Sequence, residues 1–212
     1  MKLSSVTNVI IDFIFPPFCI LCGKETDKEY ICTECKNKIR YIEYPLIEHD
    51  GRKFYYAITY YEDVIEKAIQ KFKFGGVKAL SITFADIFSE FIKNNNLPFD
   101  YVAYIPMTRR ETLRRGFNQT YLIAREISKA FNKPLIRDIK KIKETKKQVE
   151  LSRREREVNL KNVFKLSNEI SGDLLIVDDV YTTGSTAREI VKTASKKCKG
   201  NIIFISLSRR VS

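Results

Sequence analysis

The stretch from Asp173 to Thr186, Asp-Leu-Leu-Ile-Val-Asp-Asp-Val-Tyr-Thr-Thr-Gly-Ser-Thr, constrains the fold more than any other part of the chain. The apolar run Leu174 to Val177 predicts a buried strand that ends in two adjacent carboxylates, Asp178 and Asp179. A loop of small residues follows, Thr182-Thr183-Gly184-Ser185-Thr186, and then a helical pattern from Ala187 to Lys197. A loop between a strand's end and a helix's start aims free backbone N–H groups at one point, and the helix dipole adds partial positive charge there. Hydroxyls supply further donors, and Gly184 lets the backbone turn tightly. The paired aspartates beside the loop can accept from sugar hydroxyls or hold a metal. The ligand these groups fit carries a phosphate and a polyhydroxyl ring, as a ribose phosphate does.

This segment resembles the phosphoribosyl pyrophosphate (PRPP) motif of type I phosphoribosyltransferases. The resemblance implies that Asp178 and Asp179 face the ribose hydroxyls and that Thr182, Thr183, Gly184, Ser185 and Thr186 cradle the terminal phosphate. Capping hydroxyls alone do not ask for two carboxylates ahead of the loop.

Four of the five cysteines form a second pattern, Cys19-x2-Cys22-x9-Cys32-x2-Cys35. Two close pairs at this spacing form a zinc ribbon or knuckle signature, and four thiolates close a tetrahedral shell, so the metal is expected to be structural. Disulfides and an iron–sulfur cluster are the alternatives. Cys198 stands apart and reads as a small hydrophobe. His49, in a stretch read as polar loop, is not a catalytic candidate.

Along the rest of the chain, strands are expected at Tyr55–Tyr61, Tyr101–Ile105, Leu135–Ile139, Val163–Leu166 and Ile202–Leu207. Helices are expected at Ser4–Phe15, Glu62–Phe72, Leu80–Ile92 and Gln119–Phe131, with Thr108–Asn118 as a basic loop. The segment Lys140 to Asn159 is highly charged and fits neither period well. Strands alternating with helices predict a parallel sheet with ligands at the strands' carboxyl ends. The expected division is a helix and zinc module over 1–44 and an α/β domain over 45–212. No run is long enough to span a membrane, and no cleavage site follows the first apolar stretch, which points to the cytoplasm.

The net charge of +12 and pI near 9.4 favour a polyanionic partner, nucleic acid or a phosphorylated substrate. Positive residues gather after Ile105-Pro106-Met107-Thr108, in Arg109, Arg110, Arg114 and Arg115, ahead of Gly116-Phe117-Asn118-Gln119. Guanidinium forks there match phosphate or pyrophosphate oxygens, while Asn118 can also cap a helix. Lys71-Phe72-Lys73-Phe74 alternates cation and ring, and Arg137 to Lys161 holds ten basic residues against five acids.

With these elements in order, the chain is similar to the ComF family of competence proteins. The resemblance rests on the four-cysteine module, Lys71 to Gly76, Arg115-Gly116-Phe117-Asn118-Gln119, Thr145 to Asn159, and the PRPP motif. It implies a type I phosphoribosyltransferase-like parallel sheet flanked by helices, with a small zinc module. It also implies a part in uptake of single-stranded DNA during natural transformation, beside a helicase-like competence ATPase (ComFA-like). The expected ligands are structural zinc, single-stranded DNA and PRPP with Mg. Lys71, Lys73, Arg109, Arg110, Arg114, Arg115, Phe117, Asn118 and Gln119 are the expected pyrophosphate- or DNA-binding residues. A working phosphoribosyltransferase, in which a base nitrogen displaces pyrophosphate, is the alternative, although the chain offers no evident base-recognition hood. A third reading makes the zinc module an adaptor, docking a motor protein through Phe15-Pro16-Pro17-Phe18 and Ile20-Leu21.

Overall fold

Strands β6 (Leu174–Tyr181) and β7 (Ile202–Arg209) carry near-continuous apolar runs because both of their faces are covered. They lie at the centre of a five-stranded sheet in the computed structural model, which describes residues 18–26, 30–144 and 162–211. The strand order is β1-β2-β7-β6-β3, with β1 spanning Leu46–Asp50, β2 Lys53–Tyr60 and β3 Tyr101–Tyr104. All neighbours are parallel except the edge strand β1, which turns back on β2.

Side chains alternate across the sheet, and each face has its own core. Leu175, Val177, Ile203 and Ile205 pack with α2 (Asp63–Phe74), α3 (Leu80–Asn94) and α5 (Gln119–Ala130). Leu174, Ile176, Ile202 and Phe204 pack with α6 (Ser185–Ser195) and with the hairpin of β4 (Ile139–Lys141) and β5 (Phe164–Leu166). Helix α2 faces inward because Val64, Ile65, Ala68, Ile69 and Phe72 recur at helical spacing, and all five are buried. The cysteine segment, with its single turn α1 (Thr33–Lys36), joins the first core, since Cys19, Ile31, Cys35 and Ile39 belong to that apolar cluster.

Several elements differ from the sequence expectation. The segment expected as a basic loop contains α4 (Arg109–Arg115). Thr108 Oγ1 accepts from the Glu111 N–H at 3.2 Å, while Glu111 accepts from the Thr108 N–H at 2.8 Å. This capping box starts the helix, and Gly116 ends it in the left-handed region at φ 85°. The strand expected over Leu135–Ile139 reduces to a bridge from Leu135 to Val102, with β4 beginning at Ile139. Strand β6 does not stop before its acids. It runs through Asp178 and Asp179 to Tyr181, because its pairing with β7 continues to Arg209. His49 lies in β1, not in a loop. The helix expected at Ser4–Phe15 and the charged segment beyond Glu144, as far as Asn159, fall outside the described residues. Among the described residues no helix is long and apolar enough to cross a membrane.

Candidate functional site

In the cysteine module the backbone brings both pairs to one point. The Cys19 N–H donates to Lys24 O and the Gly23 N–H to Cys19 O, which folds the first pair into a tight turn. The second pair opens α1. The four Sγ atoms lie within 4.8 Å of one another, and Cys22 and Cys32 are 3.6 Å apart. A tetrahedral zinc–thiolate shell needs sulfurs about 3.8 Å apart, so the four thiols fit the ion with little adjustment. Burial raises the Cys19 thiol, but hydrogen bonds from the backbone of Cys32, Cys22 and Leu21 outweigh it and bring the pKa to about 6. Burial and the neighbouring thiols push Cys35 up to about 12. Four protein ligands leave no open position, so the metal's role here is structural. Phe18 is exposed, whereas Ile20 and Leu21 pack against the main core. Phe15, Pro16 and Pro17 fall outside the described residues.

The second site is a cleft of about 440 Å³ at the carboxyl ends of β6 and β3. Its floor is the Asp178–Thr186 segment. Gly184 caps α6 in the left-handed region at φ 75°, and a Cβ there would strike the Tyr181 hydroxyl and the Arg188 guanidinium. Arg188 braces the turn from behind, donating to Thr183 O and reaching Glu48 Oε1 at 3.3 Å. Ser185 and Thr186, the first residues of α6, line the cleft at the helix end that favours an anion. Thr182, Gly184, Ser185 and Thr186 line it. Thr183 does not, and its hydroxyl lies 2.9 Å from that of Ser185.

Lys73 donates to Asp179 Oδ1 at 2.8 Å, an ion pair whose side chains are only 19% and 12% exposed. Burial and the charge of Asp179 push the Asp178 carboxyl up to about 7, against the pull of Lys73. Asp178 also accepts from the Asp179 N–H at 2.8 Å. One acid of the pair is thus ion-paired with a lysine, and its neighbour is poised between charged and neutral near pH 7.

The opposite wall comes from α4, the following turn and α5. Arg114, Arg115, Asn118 and Gln119 line it. The Arg115 guanidinium sits 5.5 Å from the centre of the Phe74 ring, which is 76% exposed at the cleft mouth. Asn118 is a cap and a clamp: its Oδ1 accepts from the Tyr121 N–H at 3.0 Å, and its Nδ2 donates to Ile105 O at 3.0 Å. Gln119 is 2% exposed, and its Nε2 has no hydrogen-bond partner among the described residues. A buried donor left unpaired at a cleft wall fits a ligand that accepts from it. Arg210 completes the rim, stacked 4.6 Å from the centre of the Tyr61 ring.

Four expected ligand residues, Phe117, Lys71, Arg109 and Arg110, do not line this cleft. Phe117 is not a stacking platform: it is 8% exposed and packs on Phe72 at 5.6 Å, because the turn after Gly116 points it into the core. The Lys-Phe-Lys-Phe alternation splits on α2, where successive residues are about 100° apart, so Phe72 is buried and Lys71 turns away from the cleft lining. Arg109 and Arg110 line a separate cavity beyond the Ile105–Thr108 loop, with Arg110 3.2 Å from Glu144. Sequence reasoning missed Arg210 and the Lys141–Glu111 ion pair of 2.6 Å. Arg210 follows the carboxyl end of β7, the place where open α/β sheets bind ligands, and that rule would have found it.

Fold and site together define an α/β protein with a mainly parallel sheet flanked by helices and a four-cysteine zinc ribbon. Competence protein F of Haemophilus influenzae is 30% identical over 191 residues, spanning 85% of this chain and 79% of that protein. The chain belongs to the ComF family of competence proteins. Competence protein ComFC of Bacillus subtilis is 27% identical over 186 residues, covering 85% and 72% of the two chains. The DNA utilization protein YhgH of Escherichia coli K12 is 38% identical over 95 residues, 44% of this chain and 42% of that one. Residues 10–64 match the family described as Double zinc ribbon domain. With five cysteines in all, this chain furnishes four-thiolate ligands for one such site. Among solved structures, UMP synthase of Leishmania donovani aligns over 64% of this chain and 23% of its own, at 19% identity and a TM-score of 0.39.

Proposed function

We propose that this protein binds single-stranded DNA during natural transformation, seating a backbone phosphate against the amino end of α6. The observation that carries the reading is the convergence on one cleft of the Thr182–Thr186 turn, the cations Lys73, Arg114, Arg115 and Arg210, and the exposed Phe74 ring. A single strand needs such a pairing of positive wall and free aromatic face, because its bases are unstacked and every base has a face to offer. The unpaired Gln119 amide adds a donor for a phosphate or base oxygen. The names of the relatives, competence and DNA utilization proteins, agree with this reading. A helicase-like ATPase is the proposed protein partner, and the exposed Phe18 beside the metal is its candidate contact.

One observation favours a second reading, a transferase acting on Mg-PRPP. The paired acids Asp178 and Asp179 line the cleft beside the Thr182–Thr186 turn, and carboxylates accept from ribose hydroxyls. In that chemistry a base nitrogen forms the bond to the anomeric carbon while pyrophosphate leaves with the bonding electrons. DNA lacks the 2′-hydroxyl that would use both acids fully, and that separates the two readings.

The test is Arg114→Glu combined with Arg115→Glu, measured by fluorescence anisotropy with a labelled single strand. We expect affinity to fall by about tenfold or more, with a shallower salt dependence, since each phosphate contact releases counterions. Unchanged affinity in a folded double variant contradicts the assignment.

A further inference from the structure

The second cavity, of about 700 Å³, lies across the Ile105–Thr108 loop from the phosphate cleft. Among the described residues five basic side chains border it, Arg109, Arg110, Arg137, Lys140 and Lys141, with Glu144 on its lining and Glu111 paired to Lys141. Its wall is aromatic. Tyr104 and Tyr121 meet edge to face with ring centres 5.3 Å apart. The Arg137 guanidinium lies 5.3 Å from the centre of the Tyr121 ring and donates to its hydroxyl at 3.1 Å. The ion pair of Arg110 with Glu144 is exposed, at 83% and 51%, and pairs of that kind contribute little. The guanidinium can therefore exchange Glu144 for a phosphate at small cost.

We propose that this cavity is a second subsite for single-stranded DNA, holding the nucleotides next to the phosphate seated at α6. The inference rests on the reading of the first cleft as a DNA phosphate site. Pro106, Met107, Asn118 and Lys141 line both cavities, so one loop separates them and a strand passing over it meets cations on each side. Rings flanked by guanidinium groups suit unstacked bases and give nothing to a duplex, whose base faces are hidden. Tyr121 and Arg137 form the stacking wall, and Arg110 and Lys140 meet the phosphates. Asn118 then has a further part to play. By tying the Ile105 carbonyl to the start of α5, it fixes the loop over which the strand crosses.

The experiment is an anisotropy titration with oligothymidylates from about 3 to about 12 nucleotides, a span chosen from the site sizes of single-strand binders. It compares the intact protein with Arg137→Glu/Lys140→Glu, two exposed positions away from the α6 turn. The intact protein should bind longer strands more tightly. The variant should keep the affinity for the shortest strand within about twofold and lose about tenfold or more for the longest, with a smaller salt slope. A variant that follows the intact protein at every length overturns the second subsite and leaves the first cleft standing. An intact protein that binds no length of strand overturns both.

Discussion

The cysteine module draws four thiols from the short stretch between Cys19 and Cys35 onto one point, whereas the cleft gathers Lys73, Arg115, Asp179 and Arg210 from four separate parts of the chain. The module is closed. Its sulfurs face one another, and Cys19 and Cys35 are buried in the same apolar cluster as α2 and α3. The cleft is open, lined by charged groups, and among the described residues the Gln119 amide donor is left unpaired. The difference teaches where each region takes its stability. The module has too few apolar residues to hold itself and needs a metal, while the cleft borrows its rigidity from the sheet below it.

Removing zinc should break that comparison most forcefully. Structural zinc contributes about 10–16 kcal/mol to zinc-finger peptides. Because the module shares its core with the main domain, chelation should lower the melting temperature by about 10 °C or more, and added zinc should restore it. A melting curve indifferent to chelator would show that the thiols do not depend on a metal.

A pair of phenylalanines sharpens the contrast between core and cleft. Phe117→Ala should cost about 3–5 kcal/mol of stability, since it empties a site packed against Phe72. Phe74→Ala should change stability by only about 0.5 kcal/mol and weaken DNA binding by about 1–3 kcal/mol. Urea unfolding and anisotropy on the same samples check both. Equal destabilisation by the two changes would mean that Phe74 is part of the core and not a free face.

The strand–turn–helix at Asp178 to Thr186 was legible because it is contiguous: strand, acids, small loop and helix follow in one reading. The metal site was legible for the same reason. The Lys73–Asp179 ion pair was not, since its partners are 106 residues apart and only the sheet brings them together. Helix α4 escaped notice because its arginines suggested a loop, yet the Thr108–Glu111 capping box was in the sequence and marks a helix start. Phe117 looked like a binding ring because arginines precede it. Its burial depends on the left-handed turn at Gly116, which residue type alone does not orient. Strand β1, with Glu48, His49 and Asp50, has too polar a face to read as a strand, because it lies at the sheet's edge.

The most direct test of the central claim, that the α6 turn seats a DNA phosphate, is competition by Mg-PRPP. Zinc-loaded protein would be titrated with a labelled single strand at two salt concentrations, with and without saturating Mg-PRPP. We predict salt-sensitive DNA binding that Mg-PRPP displaces, as expected when a strand phosphate and the PRPP phosphate share one turn. DNA binding unaltered by a level of Mg-PRPP shown to occupy the protein would contradict the claim, and would leave the α6 turn to the transferase reading alone.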